Sequence, residues 1–210
     1  MPTERFYRLP VEKIENIRQA AIQEFKRVTP EEASINKIIQ SADISRGSFY
    51  TYFIDKYDLL EWLMGDFIGS YRRFYLDGLR MNGGDLWDIY ARVLEYTVHW
   101  VDDQGLVEIV GNMMRGSQFA DQMAQGAFCM CEIEEANRKY VDEMYNYIDP
   151  ACCKLSREEF EELLKMHVST LIIALRRYYA EGQSLEEITA SYHRCMKLLR
   201  YGACPNVQET

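Results

Sequence analysis

Apolar residues recur at spacings of three and four along almost the whole chain, and this periodicity limits the fold more than any other feature. Ile14, Ile17 and Ala21, for example, share one face of a first helix that begins near Pro10. The apolar-polar alternation of half-buried strands is absent, and the clearest break in the pattern is the Asn-Gly-Gly stretch within residues 81–84. The sequence therefore predicts an all-α protein with about nine helices.

Capping residues predict where these helices begin. Ser34 and Ser45 precede two short helices, the second ending near Tyr52, and Asp55 precedes a long helix that ends near Leu79. Two S-x-x-E capping boxes, which begin at residues 156 and 184, precede the last two helices. The later helices are expected over about 87–103, 107–114, 119–148, 157–181 and 185–201.

The charge is distributed unevenly between the first 58 residues and the rest. Residues 1–58 carry nine basic and nine acidic residues, so the net charge of −9 lies entirely beyond residue 58. A neutral N-terminal part permits DNA contact by a few placed cations but gives no broad electrostatic footprint. Charge alone would therefore not suggest a DNA-binding protein.

The localisation and redox state follow from what the sequence lacks. It has no run of about 18 apolar residues and no apolar signal-peptide segment near its N-terminus. We therefore expect a soluble cytoplasmic protein, with its six cysteines reduced and with no structural disulfide. No cofactor is expected.

Two short helices across a tight turn make residues 35–53 a helix-turn-helix candidate. Residues 38–60, IIQSADISRGSFYTYFIDKYDLL, resemble the signature of the TetR family of bacterial regulators, in which S-x-G-[ST]-x-Y-x-[YH]-F precedes a lysine that opens the next helix. The resemblance implies a three-helix DNA-binding domain over residues 1–58, followed by a larger helical effector-binding and dimerisation domain over residues 59–210. It also implies a ligand-responsive regulator, by family frequency a repressor, that binds a near-palindromic operator as a homodimer.

The resemblance also implies which residues contact DNA. Arg46 suits bidentate contact with a guanine and Tyr50 suits apolar contact with a base, while Asn36 aligns with a position that sometimes reads bases. Gly47 is small where the backbone must approach the DNA closely. The expected phosphate or groove contacts are Lys37, Ser48, Thr51, Tyr52 and Lys56.

Two positions depart from the family pattern. Asp43 replaces the usual glycine of the turn between the second and third helices, and Asp tolerates the left-handed conformation that such a turn needs. The glycine usual after the first helix is missing from residues 25–30. The second departure concerns the connection between the first two helices and does not affect the short helix that follows Ser45 and ends near Tyr52.

The C-terminal part carries two groups of apolar residues to which we assign expected roles. Aromatic and thioether side chains are typical of an apolar ligand pocket, and the last two helices have apolar faces wide enough for a helix-pair dimer. The expected pocket residues, for a largely apolar or aromatic small molecule, are Phe67, Tyr71, Trp87, Tyr90, Trp100, Met113 and Phe128. The expected dimer residues are Phe160, Leu164, Leu171, Leu175, Tyr192, Met196 and Leu199.

Two alternatives to this function remain open from the sequence. The neutral first 58 residues and the acidic remainder would suit a helical sensing or adaptor module that no longer binds DNA. Cys129, Cys131, Cys152 and Cys153 would suit a thiol- or metal-responsive regulator, although these pairs lack the four-ligand spacing of a zinc site. An enzyme has no support, because the three histidines are isolated and belong to no nucleophile or metal motif.

Overall fold

A computed structural model describes residues 2–116 and 135–202, and every regular element in those ranges is a helix. The all-α prediction is therefore confirmed. The eleven described helices are α1 (Glu4–Tyr7), α2 (Val11–Arg27), α3 (Ile35–Ser41), α4 (Arg46–Tyr52), α5 (Lys56–Leu63), α6 (Gly65–Met81), α7 (Leu86–Asp103), α8 (Val107–Arg115), α9 (Glu135–Tyr147), α10 (Arg157–Tyr179) and α11 (Leu185–Tyr201).

Most of the predicted helix starts are confirmed by their caps. The side chain of Asp55 accepts hydrogen bonds from the backbone N–H groups of Tyr57 and Asp58 at the start of α5. Both predicted capping boxes are present, at Ser156 before α10 and at Ser184 before α11. Each box satisfies backbone N–H groups that a helix start otherwise leaves without partners.

The number of helices differs from the prediction at two places. The four-residue α1 was not predicted, because a single turn is too short to show a period. The expected long helix after Asp55 is divided at Met64, whose φ of −86° and ψ of 5° end α5 and begin α6. The helix expected over residues 119–148 is described only from Glu135 onward.

Helices α1 to α5 form an N-terminal head with an aromatic core. The ring of Phe6 lies 4.9 Å from the rings of both Phe53 and Trp62, and Phe49 lies 5.6 Å from Phe53. Phe6, Phe49 and Phe53 are fully buried. This core fixes the orientation of α4, which packs against α1 on one side and α3 on the other.

Helices α6 to α11 form the larger body. The last two helices, α10 and α11, pack against each other and against α7, and α9 packs on α6. At the turn between α6 and α7, the carbonyl of Gly84 accepts a hydrogen bond of 3.0 Å from the N–H of Asp149. The backbone of Gly84 has φ of +86°, so glycine suits both the conformation and the close approach of the two segments.

Among the described helices, none combines the length and apolar character that crossing a membrane requires.

Candidate nucleic-acid interface

The turn before α4 has the geometry that its sequence predicts. Asp43 has φ of +49°, so the aspartate adopts the left-handed conformation for which the family pattern uses glycine. Ser45 then caps α4, because its hydroxyl accepts a hydrogen bond of 3.0 Å from the backbone N–H of Ser48. The buried rings of Phe49 and Tyr52 hold the inner side of α4 in the head, and the opposite side is exposed.

Three predicted DNA-contacting residues lie together on this exposed side. The guanidinium of Arg46 donates a hydrogen bond of 3.0 Å to Asn36 Oδ1, across from α3. It also donates to the hydroxyl of Tyr50 at 3.5 Å and lies 5.8 Å from the centre of the Tyr50 ring. A guanidinium has five N–H donors, so Arg46 is held in place while donors remain for a base edge.

The remaining residues predicted on α4 contact the protein itself. The hydroxyl of Thr51 donates to the carbonyl of Gly47 at 2.9 Å, and the hydroxyl of Ser48 lies 2.9 Å from that of Ser45. A Cβ at Gly47 would meet nothing nearer than the hydroxyl of Ser45, at 3.8 Å, so the protein leaves this backbone open to solvent. Tyr52 differs from the expectation of a surface contact, because its ring is buried next to Phe6 in the aromatic core.

The two predicted lysines lie in different surroundings. Lys37 is exposed on α3. The ammonium of Lys56 donates to the carbonyls of Glu31 and Ala33 and so ties the start of α5 to the connection between α2 and α3. Two of its three N–H donors are used there, which leaves one donor for a DNA phosphate.

Glu24 builds the connection that lacks the family glycine. Its carboxylate accepts hydrogen bonds from the guanidinium of Arg27 and, at 2.9 Å, from the backbone N–H of Ser34. Burial alone would raise the pKa of Glu24, but these hydrogen bonds outweigh it and leave the pKa lowered. A carboxylate, rather than a left-handed glycine, therefore positions α3 after α2.

The head is joined to the body mainly where α2 packs on α8. The side-chain amide of Asn112, on α8, donates to the carbonyls of Phe25 and Lys26 at 2.9 and 2.8 Å. Lys26 also lies 3.7 Å from Glu108 in an exposed ion pair. Because Asn112 is buried, this contact couples the last turn of α2 to α8.

The residues predicted to line an effector pocket are found in several places. Phe67 contacts Trp100, with ring centres 5.2 Å apart, and Phe67 also contacts Tyr71, so these three half-buried rings form a cluster between α6 and α7. Tyr90 and Met113 are buried in the body. Trp87 instead lines a separate groove, and Phe128 lies outside the described residues.

His167, which the sequence showed only as an isolated histidine, lies at the centre of a buried hydrogen-bonded network. Its Nε2 is 2.7 Å from the hydroxyl of Tyr192, and its Nδ1 is 3.4 Å from the hydroxyl of Tyr75. The imidazole also stacks on the ring of Tyr90 at 3.6 Å. Burial lowers the pKa of His167 to about 3, so the ring is neutral at physiological pH.

The groove that contains Trp87 also contains two of the cysteines. It has a volume of about 1030 Å³ and is bordered by the loop before α10 and the end of α11. Burial raises the pKa of both the Cys152 and the Cys153 thiols, which disfavours the reactive thiolate. No metal-binding group of three or more ligands occurs within residues 2–116 and 135–202, and Cys129 and Cys131 lie outside them.

The last two helices expose different residues from those predicted for a dimer. Of the seven predicted residues, only Leu199 is not buried within the protomer, because the other six face the protomer's own core. The apolar side chains that α10 and α11 leave exposed are Met166, Ile173, Leu198 and Tyr201.

Two family models match the chain. One, described as bacterial regulatory proteins of the tetR family, matches residues 17–63, and one described as a tetracyclin repressor-like C-terminal domain matches residues 85–203. Among solved structures, the chain is similar to a TetR family transcriptional regulator from Chloroflexus aurantiacus J-10-FL. The two are 20% identical over 96% of this chain and 98% of that one, with a TM-score of 0.41. No curated protein matched.

Proposed function

Since this chain belongs to the TetR family of DNA-binding transcriptional regulators, we propose that it represses transcription as a homodimer on a near-palindromic operator and that a small molecule releases it. The observation that carries the proposal is the exposed cluster of Arg46, Asn36 and Tyr50 at the start of α4. We propose regulation rather than catalysis, in the bacterial cytoplasm where the operator lies.

The proposed DNA contact uses α4 as the recognition helix. A major groove about 12 Å wide admits one α-helix, whose N-terminal residues reach the base edges. Arg46 lies at that end of α4, and its hydrogen bonds to Asn36 and Tyr50 reduce the side-chain freedom that binding would remove. Lys37 on α3 and the remaining donor of Lys56 would contact phosphates.

The proposed dimer brings together the exposed apolar residues of α10 and α11 from two protomers. Met166 and Ile173 lie on α10, seven residues apart and so on one face, and Leu198 lies on α11. A pair of helices from each protomer would bury these side chains in a four-helix arrangement. Two recognition helices would then enter successive major grooves about 34 Å apart.

The proposed effector site includes the half-buried rings of Phe67, Tyr71 and Trp100. These rings lie on α6, which follows the head directly, and on α7. Because α6 follows the head directly, a ligand that prefers one arrangement of α6 and α7 would alter the distance between the two heads. A hundredfold preference corresponds to about 2.7 kcal/mol, which is enough to empty an operator.

DNA binding tests the proposal directly. Purified protein would be titrated with DNA from its own promoter region and with random DNA of the same length, alongside Arg46→Ala, Tyr50→Ala and Arg92→Ala. We expect Arg46→Ala to lose about 1–3 kcal/mol of the preference for promoter DNA. Arg92, an exposed arginine on α7, is the matched control and should bind as the wild type does. A wild-type protein with no preference for promoter DNA would contradict the proposal and favour the adaptor module.

Oligomeric state tests the dimer separately. In sedimentation velocity experiments we expect Ile173→Glu to shift the protein towards the monomer, because the substitution would bury a charge between the protomers. Ile54, which is 77% exposed on the head, provides a matched Ile54→Glu control that should remain dimeric. A dimeric Ile173→Glu variant would place the interface elsewhere.

A further inference from the structure

The residues before α2 form an N-terminal arm, residues 2–8, that is fixed to the C-terminal end of the recognition helix. The backbone N–H of Thr3 donates to the carbonyl of Tyr52 at 3.0 Å, and its hydroxyl donates to the carbonyl of Thr51 at 2.8 Å. Phe6 anchors the other end of the arm, because its ring is fully buried among the aromatic side chains of the head. The arm is therefore a packed part of the head.

The two hydrogen bonds from Thr3 also reduce the partial negative charge at the C-terminal end of α4. The last carbonyls of a helix lack intrahelical partners and carry the negative end of the helix dipole, which would repel a DNA phosphate. Thr3 donates to two such carbonyls, those of Thr51 and Tyr52, and so reduces this repulsion. The end of α4 can then lie beside the DNA backbone at a smaller electrostatic cost.

Arg5 adds a positive charge at the same place. Most of the other basic side chains of the head already contact acceptors: Arg8 pairs with Glu4, Arg18 with Glu15, Lys26 with Glu108, and Arg27 with Glu24. Arg5 is exposed, and no described residue forms an ion pair with it. Residues 1–58 carry equal numbers of basic and acidic residues, so a cation without a counter-charge contributes more to phosphate binding than one that is already paired.

With α4 in the major groove, its length would bring Arg5 near the DNA backbone. Helix α4 has seven residues and is about 10 Å long, close to the 12 Å width of the major groove, so its ends lie near the flanking phosphates when the helix occupies the groove. Arg5 follows Thr3 by two residues, at most about 7 Å along the chain. A long arginine side chain at that position can reach a phosphate beside the C-terminal end of α4.

We propose that the N-terminal arm is a second DNA-contacting element, in which Arg5 binds a backbone phosphate beside the recognition helix. This inference rests on the proposed function, because it requires DNA in front of α4. Since a phosphate contact carries no base information, Arg5 raises the affinity for operator and for random DNA alike. Arg46 and Arg5 then have separate roles, the first in sequence preference and the second in affinity.

A salt series tests the inference. Binding to promoter DNA and to random DNA would be measured between about 50 and 200 mM salt for the wild type, Arg5→Gln, Arg5→Lys and Lys26→Gln. Each lost phosphate contact reduces the slope of log K against log salt by about 0.9, hence by roughly two for a dimer. We expect this reduction for Arg5→Gln, with unchanged preference for promoter DNA and an unchanged unfolding temperature. Arg5→Lys should keep the wild-type slope.

Lys26→Gln is the matched control, because it removes one positive charge from the far end of α2, where Lys26 pairs with Glu108. Its slope should equal that of the wild type. An unchanged slope for Arg5→Gln, or an equal reduction for Lys26→Gln, would overturn the role of Arg5. A wild-type protein without any preference for promoter DNA would overturn the proposed function, and this inference with it.

Discussion

The buried imidazole of His167 links the stability of the body to pH. The ring is neutral in the folded state, where burial lowers its pKa to about 3, whereas an exposed histidine in the unfolded chain titrates near 6.5. The unfolded chain therefore binds the extra proton between these two values, and folding stability falls as the pH falls below about 6.5. The groups around the ring, Tyr75, Tyr90 and Tyr192, are phenols that do not ionise in this range.

Replacing His167 with glutamine tests this link. We expect the free energy of unfolding of the wild type to fall, relative to that of His167→Gln, by up to about 1.4 kcal/mol for each pH unit below 6.5. Urea unfolding at a series of pH values measures the difference. His99→Gln, at an exposed histidine of α7, should follow the wild-type profile. Parallel profiles for the wild type and His167→Gln would show that His167 titrates normally.

Gly84 provides a second prediction at the scale of one residue. A Cβ at Gly84 would overlap the carbonyl oxygen of Tyr147 and the backbone nitrogen of Asp149, whereas a Cβ at Gly83 would meet nothing within 4 Å. Both glycines have positive φ, so alanine costs about 1 kcal/mol or more of backbone strain at either position. We expect Gly84→Ala to destabilise the protein clearly more than Gly83→Ala, as measured by urea unfolding. Equal losses of stability for the two variants would show that the segments around Gly84 and Asp149 can move apart to accommodate a Cβ without lowering the free energy of unfolding.

At the scale of the helix, two serines before neighbouring helices differ in their contacts. The hydroxyl of Ser45 accepts a hydrogen bond from the N–H of Ser48, whereas the side chain of Ser34 makes no capping hydrogen bond to α3. We expect Ser45→Ala to lower the free energy of unfolding by about 1 kcal/mol and Ser34→Ala to change it little. Chemical denaturation of both variants is the measurement. A larger loss for Ser34→Ala than for Ser45→Ala would mean that Ser34, and not Ser45, makes the stabilising capping hydrogen bond.

The helices could be predicted well from the sequence where their ends carry local signals. Ser45, Asp55, Ser156 and Ser184 cap helices whose starts were predicted from those residues alone. The interruption at Met64 could not be predicted from periodicity, because the apolar pattern of Leu63 continues to Phe67 on the other side of it. Local sequence thus predicts where a capped helix begins better than where a long helix is interrupted.

Only part of the candidate site could be predicted, because only some of its residues are specified by a local sequence pattern. Arg46 and Tyr50 could be identified from the motif and Asn36 from its alignment with the same family, and the structure brings the three together on one surface. The dimer residues were chosen from wide apolar faces, and a wide face does not show which side meets the protomer's own core. Phe160 and Leu164 are fully buried for that reason, whereas Met166 and Ile173, on the same helix, are exposed.

At the scale of the whole molecule, Asn112 makes a buried hydrogen-bonded contact between head and body. Replacing Asn112 with alanine leaves the carbonyls of Phe25 and Lys26 without these donors, at about 1–3 kcal/mol for each acceptor left buried. For a chain of this size, each kcal/mol lowers the unfolding temperature by about 2–4 °C. We therefore expect a loss of several degrees in a thermal melt.

Glu108→Gln is the control for Asn112→Ala, because it breaks the exposed ion pair with Lys26 at the same junction. Exposed ion pairs contribute little to stability, so this variant should melt close to the wild type. If Asn112→Ala also melted as the wild type does, the two carbonyls would have found water or other donors.

The junction at Asn112 also limits how this protein could exchange parts with its relatives. A crossover at residue 58, whether in evolution or in the design of a chimaeric regulator, would transfer the proposed DNA-contacting residues but leave Asn112 behind in the body. The incoming head would then meet an amide placed for carbonyls in the positions of Phe25 and Lys26. Since those acceptors are backbone carbonyls, we expect a chimaera to keep this junction only if the second helix of the incoming head ends at the same place relative to Asn112.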